Sequence, residues 1–217
     1  MQGTPGDMTF CTLRAGARAR GEFEDRRSRF IGLLVPVGGE RDATRGVAEV
    51  RAARHDARHN AWAWALADGR ERCSDDGEPQ RTAGQPILQQ LRGAGLANVC
   101  CVVTRYFGGT LLGPGGLARA YGEAAARSIA AAREAGDLVT QGLVVPVTCV
   151  VPYAAYERTR HVALMCDGRE QDAIFFEDVQ VTYVFRAGQE GRFVAALSEL
   201  ANGRDVCQVG EARLGTL

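Results

Sequence analysis

The sequence predicts an α+β protein of two domains, residues 1–136 and 141–217. Strand-like apolar alternation and 3.6-residue helical periodicity succeed one another along the chain. The pattern breaks once, around Glu134 to Gln141. Each side of that break carries a full set of elements with apolar faces of its own, and 46% hydrophobic residues supply material for two cores.

The first elements, from Thr9 to Val37, read as strands with a turn near Asp25 and Arg26, and SRFIGLLVPV ends in a continuous apolar run typical of a buried strand. From Glu40 to Ala57, Ala43, Val47, Val50 and Ala57 recur at helical spacing among charges, as on a surface helix. AWAWALA, Ala61 to Ala67, is a strand with Trp62, Trp64 and Leu66 on one face and alanines on the other. The loop ADGRERCSDDGEPQR follows. Thr82 and Gln85 fit a capping box opening a short helix through Ile87, Leu88 and Leu91, stopped at Gly93 and Gly95. Next come a strand over Val99 to Thr104, a glycine-rich turn, and a helix from about Pro114 to Arg133 with Leu117, Tyr121, Ala124, Ser128 and Ile129 inward.

Beyond the break, Leu143 to Val151 is strand-like and Pro152 to Met165 helical; strands at Gln171 to Phe176 and Val179 to Phe185, a helix at Glu190 to Ala201 and a strand at Asp205 to Glu211 complete the chain. That order, β-α-β-β-α-β, is the split βαβ or ferredoxin-like arrangement. Pro146 falls inside its first strand, which is central in this topology, so a bulge or a missing partner is expected beside it.

Composition removes several classes of function. All 26 basic side chains counted as Lys or Arg are arginine, which excludes the Schiff-base lysine enzymes and the Walker-type phosphate loop. Net charge is zero, with the arginine excess before residue 137 and an acidic excess after it. That asymmetry is too mild for strong non-specific nucleic-acid binding but allows a local arginine patch. No run approaches the roughly 18 apolar residues of a membrane helix. The start MQGTPGDM lacks a secretory pattern, so a cytoplasmic location without membrane contact is expected. Seven cysteines with no C-x-x-C spacing read as reduced thiols, Cys100 and Cys101 in NVCCVVT as small hydrophobes.

The stretch VTRYFGGTLLGPGGLARAY concentrates Gly108, Gly109, Gly113, Gly115 and Gly116 where a strand passes into a helix. Free backbone N–H groups and a positive helix end make an anion site there, with Arg105 and Tyr106 before it and Arg119 one turn inside the helix. Close packing of strand on helix asks for the same glycines, and both readings stand. The spacing fits neither the Walker nor the dinucleotide fingerprint. SDDGEP groups Asp75, Asp76 and Glu78, either as a cation or acid–base site or as a structured turn or protein contact. His55 and His59 are four apart, but a strand begins almost at once and no third ligand is evident, so hydrogen bonding by His59 or Asn60 is expected rather than metal binding. No catalytic residue, metal or cofactor is assigned.

The segments SRFIG, ARHNAWAWAL, SDDGEPQRTAGQPILQQL and VTRYFGGTLLGPGGLARAY, in that order, resemble the IMPACT family over residues of about 20 to 135, and the tail from 141 resembles the additional domain of its bacterial members. The resemblance implies a first domain like the second domain of small-subunit ribosomal protein five and a ferredoxin-like second domain. It implies a non-enzymatic binding or regulatory protein linked to translation, contacting RNA, the ribosome or a translation-associated protein through the first domain. The alternative is an enzyme acting on a phosphorylated small molecule at the glycine-rich turn. The family's characteristic positions fall here on His59, Asn60, Asp75 to Pro79, Thr82 to Gly84, Arg105, Tyr106, Gly108, Gly109, Gly113, Gly116, Leu117, Arg119 and Tyr121. Gln80 and Arg81 stand where the family usually has small residues.

Overall fold

The computed structural model describes residues 9–217. The chain divides into two compact units, one of Phe10–Val139 and one containing Thr140–Leu217. Both are mixed α and β.

In the first unit the strands are β1 (Phe10–Leu13), β2 (Ala19–Asp25), β3 (Ser28–Pro36), β4 (His59–Ala65), β5 (Glu71–Ser74) and β6 (Val99–Tyr106). The helices are α1 (Glu40–Ala53), α2 (Gly84–Gly93) and α3 (Gly113–Glu134). Five strands form an antiparallel sheet in the order β2-β3-β6-β4-β5. Strand alternation sends Phe30, Leu34, Ala61, Ala63, Cys101 and Val103 to the face covered by α2 and α3, where Ile87, Leu91, Tyr121 and Ala124 meet them. The opposite face sends Trp64, Cys100 and Val102 against Ala43, Val47 and Val50 of α1. Cys100 and Cys101 therefore serve two different cores, and burial pushes the Cys100 thiol up to about 12.

Two glycines set how closely α3 lies on the sheet. A Cβ at Gly32 would fall 2.7 Å from the Ala124 carbonyl oxygen, and one at Gly21 would overlap the Ser128 backbone. The β2–β3 hairpin closes through Arg26 and Arg27, both left-handed at φ 46° and 67°. That is the torsion of a two-residue primed turn, in which Asn-Gly is the usual pair.

Three local expectations are corrected. The stretch ADGRERCSDDGEPQR, expected as a loop, holds strand β5, whose Glu71 to Ser74 pair with β4. The capping box of Thr82 and Gln85 does not form: α2 is preceded by Ala83, and the Thr82 hydroxyl donates instead to the Pro79 carbonyl at 2.6 Å. The Asp75 carboxylate takes over, accepting from the Ala83 and Gly84 N–H groups at 3.0 and 2.9 Å. A charged acceptor at a helix N-terminus is stronger than a hydroxyl. The helix predicted to reach Ala57 ends at Ala53, with the Arg54 N–H still bonded to the Val50 carbonyl.

The second unit contains β7 (Leu138–Val151), α4 (Tyr153–Met165), β8 (Arg169–Phe175), β9 (Val179–Arg186), α5 (Glu190–Leu200), β10 (Cys207–Val209) and β11 (Arg213–Thr216). β9 lies between β7 and β8, while β10 and β11 pair with β7. Val147, Cys149, Val181, Tyr183 and Phe185 form the core with Phe193 and Leu197 of α5. Pro146 explains why the last strand comes in two pieces. β10 pairs with Val147–Cys149 and β11 with Gln141–Val144, in registers that differ by one residue. The break falls opposite Pro146, whose missing N–H leaves nothing to offer a partner there; its carbonyl still accepts from Gly210 N–H at 2.8 Å.

Candidate functional site

β6, β4, the β2–β3 turn and the start of α3 all bring their ends to one edge of the first unit. Under that edge lies a buried three-way tie. Glu78 presents Oε1 to the Arg105 guanidinium and to the Tyr121 hydroxyl, each at 2.7 Å. Burial and the Glu78 charge push the Tyr121 phenol far up, so it stays a hydrogen-bond donor. Arg105 lies near the Phe30 and Phe107 rings, 5.7 and 5.5 Å from their centroids, and its Nε has no hydrogen-bond partner. The sequence pattern places Arg105 and Arg119 on either side of an anion site. In the structure Arg105 is 8% exposed and engaged by Glu78, and Arg119, which is exposed, pairs with Asp25.

The rest of the acidic loop is equally engaged. Asp75 caps α2. Asp76 accepts from the Asn60 N–H at 2.7 Å and pairs with Arg51 of α1, while its carbonyl meets His59 Nδ1 at 2.8 Å. The Asn60 side chain in turn accepts from the Thr104 hydroxyl at 2.6 Å. His59, Asn60, Asp75, Asp76, Glu78 and Thr82 thus make up one hydrogen-bonded buttress that joins α1, α2, β4, β6 and α3.

The glycines divide by task. Gly108 has no room for a Cβ, which would overlap the Arg27 backbone, and its N–H donates to Ser28 Oγ at 3.0 Å. Gly109 and Gly113 are left-handed, at φ 86° and 69°. Gly116 sits tight against Leu112. Gly115 is different: exposed, without positive φ, and with open space where its Cβ would be. No side chain caps the α3 N-terminus.

Above this buttress the surface is a cleft of about 450 Å³ lined by Asp56, Ala57, Arg58, His59, Arg105, Tyr106, Phe107 and Leu111. Phe107 and Leu111 are 57% and 81% exposed. Tyr106 donates to Asp56 at 3.1 Å. Among the described residues, Arg26, Arg27 and Arg58 make no ion pair. Burial, and after it the neighbouring Arg20, pushes Arg54 down. Sequence reading missed Arg26, Arg27, Arg54 and Arg58 because they are scattered through the first 60 residues and only the strand order collects them.

These features define an α+β protein whose distinctive edge is an open, arginine-bearing surface on a rigid support. The sequence pattern of the Impact N-terminal domain matches residues 26–129. The Escherichia coli IMPACT family member YigZ is 34% identical over 187 residues, 83% of this chain and 88% of that protein. An IMPACT family member of Haemophilus influenzae is 33% identical over 88% of this chain and 92% of its own. The chain belongs to the IMPACT family. A crystal structure of a hypothetical protein, 31% identical, aligns with a TM-score of 0.57 over 93% of this chain and 96% of the other.

Proposed function

We propose that this chain is a non-enzymatic binding protein of the translation apparatus, and that its first unit takes RNA, free or ribosomal, at the edge formed by the β2–β3 turn, the cleft and the glycine loop. The observation that carries this reading is the pairing of an exposed aromatic, Phe107, with unpaired Arg58, Arg26 and Arg27 around an uncapped helix start. Single-stranded RNA is held by that combination: bases stack on aromatic faces, while arginines and backbone N–H groups hold phosphates. Gly115 fits the same reading, since nothing inside the protein asks for glycine there and a phosphate backbone approaching from outside does. The element order supports the likeness of the first unit to the second domain of small-subunit ribosomal protein five and a ferredoxin-like second unit, as in translation factors. A cytoplasmic setting follows from that role.

Chemistry on a phosphorylated small molecule has less support, because Asp75, Asp76 and Glu78 are tied into the buttress and do not line the cleft. Ultraviolet crosslinking of the full chain to RNA from its native cytoplasm, followed by peptide mapping, tests the proposal. Crosslinks at Tyr106 or Phe107 support it; crosslinks confined to residues after 140 refute it.

A further inference from the structure

We propose that Cys149 and Cys207 are a peroxide-sensitive pair that closes into a reversible cross-strand disulfide and fastens β10 to β7. The two residues face each other directly in the antiparallel ladder. Val150 N–H donates to the Val206 carbonyl and Gly210 N–H to the Pro146 carbonyl. The hydrogen-bonded pairs therefore fall on even-numbered residues of β7, and Cys149 with Cys207 is a non-hydrogen-bonded pair. At such pairs the Cα atoms approach to about 4.5 Å and the side chains lie closest. That is within the span of roughly 4.4 to 6.8 Å that a disulfide bridges. The sulfurs are already in contact at 3.2 Å. No other two cysteines among the described residues meet in this way; Cys100 and Cys101 point to opposite faces of their sheet.

The environment separates the two roles. Cys207 is half-buried and Cys149 buried, so a small oxidant reaches Cys207 first. The hydrogen bond between them draws the Cys207 thiol down and pushes Cys149 up, so Cys207 is the more readily ionised of the two. The Cys207 thiolate attacks one oxygen of hydrogen peroxide. The O–O bond breaks, an S–O bond forms, and the departing hydroxide takes a proton to become water. Cys149 sulfur then attacks Cys207 Sγ, the S–O bond breaks, and a second water leaves with the Cys149 proton. Two thiols are oxidised to one disulfide and one peroxide is reduced to two waters. The bond closes across 58 positions of sequence and pins a three-residue strand that the Pro146 break separates from β11.

The test treats the full chain with hydrogen peroxide, quenches free thiols with an alkylating agent, and maps peptides by mass spectrometry. A linked peptide joining Cys149 to Cys207, the loss of two free thiols, and recovery of both with a dithiol reductant are expected. In Cys149→Ser the Cys207 sulfenic acid should be trapped by a dimedone probe, and in Cys207→Ser no link should form. Far-ultraviolet circular dichroism on both variants establishes that they fold. Absence of the linked peptide, linkage of Cys166 instead, or direct passage of Cys207 to sulfinic acid in the unaltered chain overturns the proposal.

Discussion

One oxygen of Glu78 receives both a guanidinium N–H and a phenol O–H, and through it β6, α3 and the acidic loop are held in one arrangement. Glu78→Gln leaves Arg105 buried beside a neutral partner. Breaking a buried ion pair by removing one charge costs about 3–5 kcal/mol. Tyr121→Phe removes one hydrogen bond to a charged acceptor and costs about 1.5–3 kcal/mol. Urea unfolding monitored by tryptophan fluorescence checks both, and equal midpoints for the two variants would contradict the ranking. The grouping of Asp75, Asp76 and Glu78 is legible in the sequence as a motif. Their partners are not, because Arg105 lies 27 residues from Glu78 and Tyr121 lies 43 away, separations over which only the fold decides who meets whom.

The long periodic segments, α1, α3, β3, β6 and the alternation of AWAWALA, can be read from pattern alone, since period follows from which face is buried. The α2 cap cannot: Thr82 is local, whereas Asp75 reaches the helix only because the loop folds back on it. Asp75→Ala should therefore destabilise the chain by about 1–2 kcal/mol, and Thr82→Val by less, when compared by thermal unfolding. β5 and β11 escape sequence reading as short strands whose pairing is set by their neighbours. The β2–β3 turn supplies a prediction with two signs. A non-glycine residue in the left-handed region costs about 1–2 kcal/mol, so Arg27→Gly should raise the unfolding midpoint while lowering RNA affinity. A fall in both stability and affinity would return Arg27 to a purely structural role.

Across the whole molecule, each unit has its own buried core, and both tryptophans, Trp62 and Trp64, lie in β4 of the first. Fluorescence then reports the first unit alone, and far-ultraviolet circular dichroism reports both. The units are expected to fold independently, so the two probes should give unfolding curves that do not coincide; superimposable curves would mean one cooperative unit. The functional claim rests on the arginine-bearing edge of the first unit, and a salt-dependent RNA titration tests it most directly. A labelled single-stranded RNA is titrated with the full chain and with the Arg26→Ala, Arg58→Ala, Phe107→Ala triple variant at several salt concentrations. Arg26 and Arg58 are exposed and unpaired, so any fall in the variant's unfolding midpoint should be small and come from losing the Phe107 ring beside the Arg105 guanidinium. Its affinity should fall, and the slope of log affinity against log salt should flatten by about 0.7 for each phosphate that the protein no longer neutralises. Affinity and slope equal to those of the unaltered chain, or no RNA binding by either protein, would contradict the account.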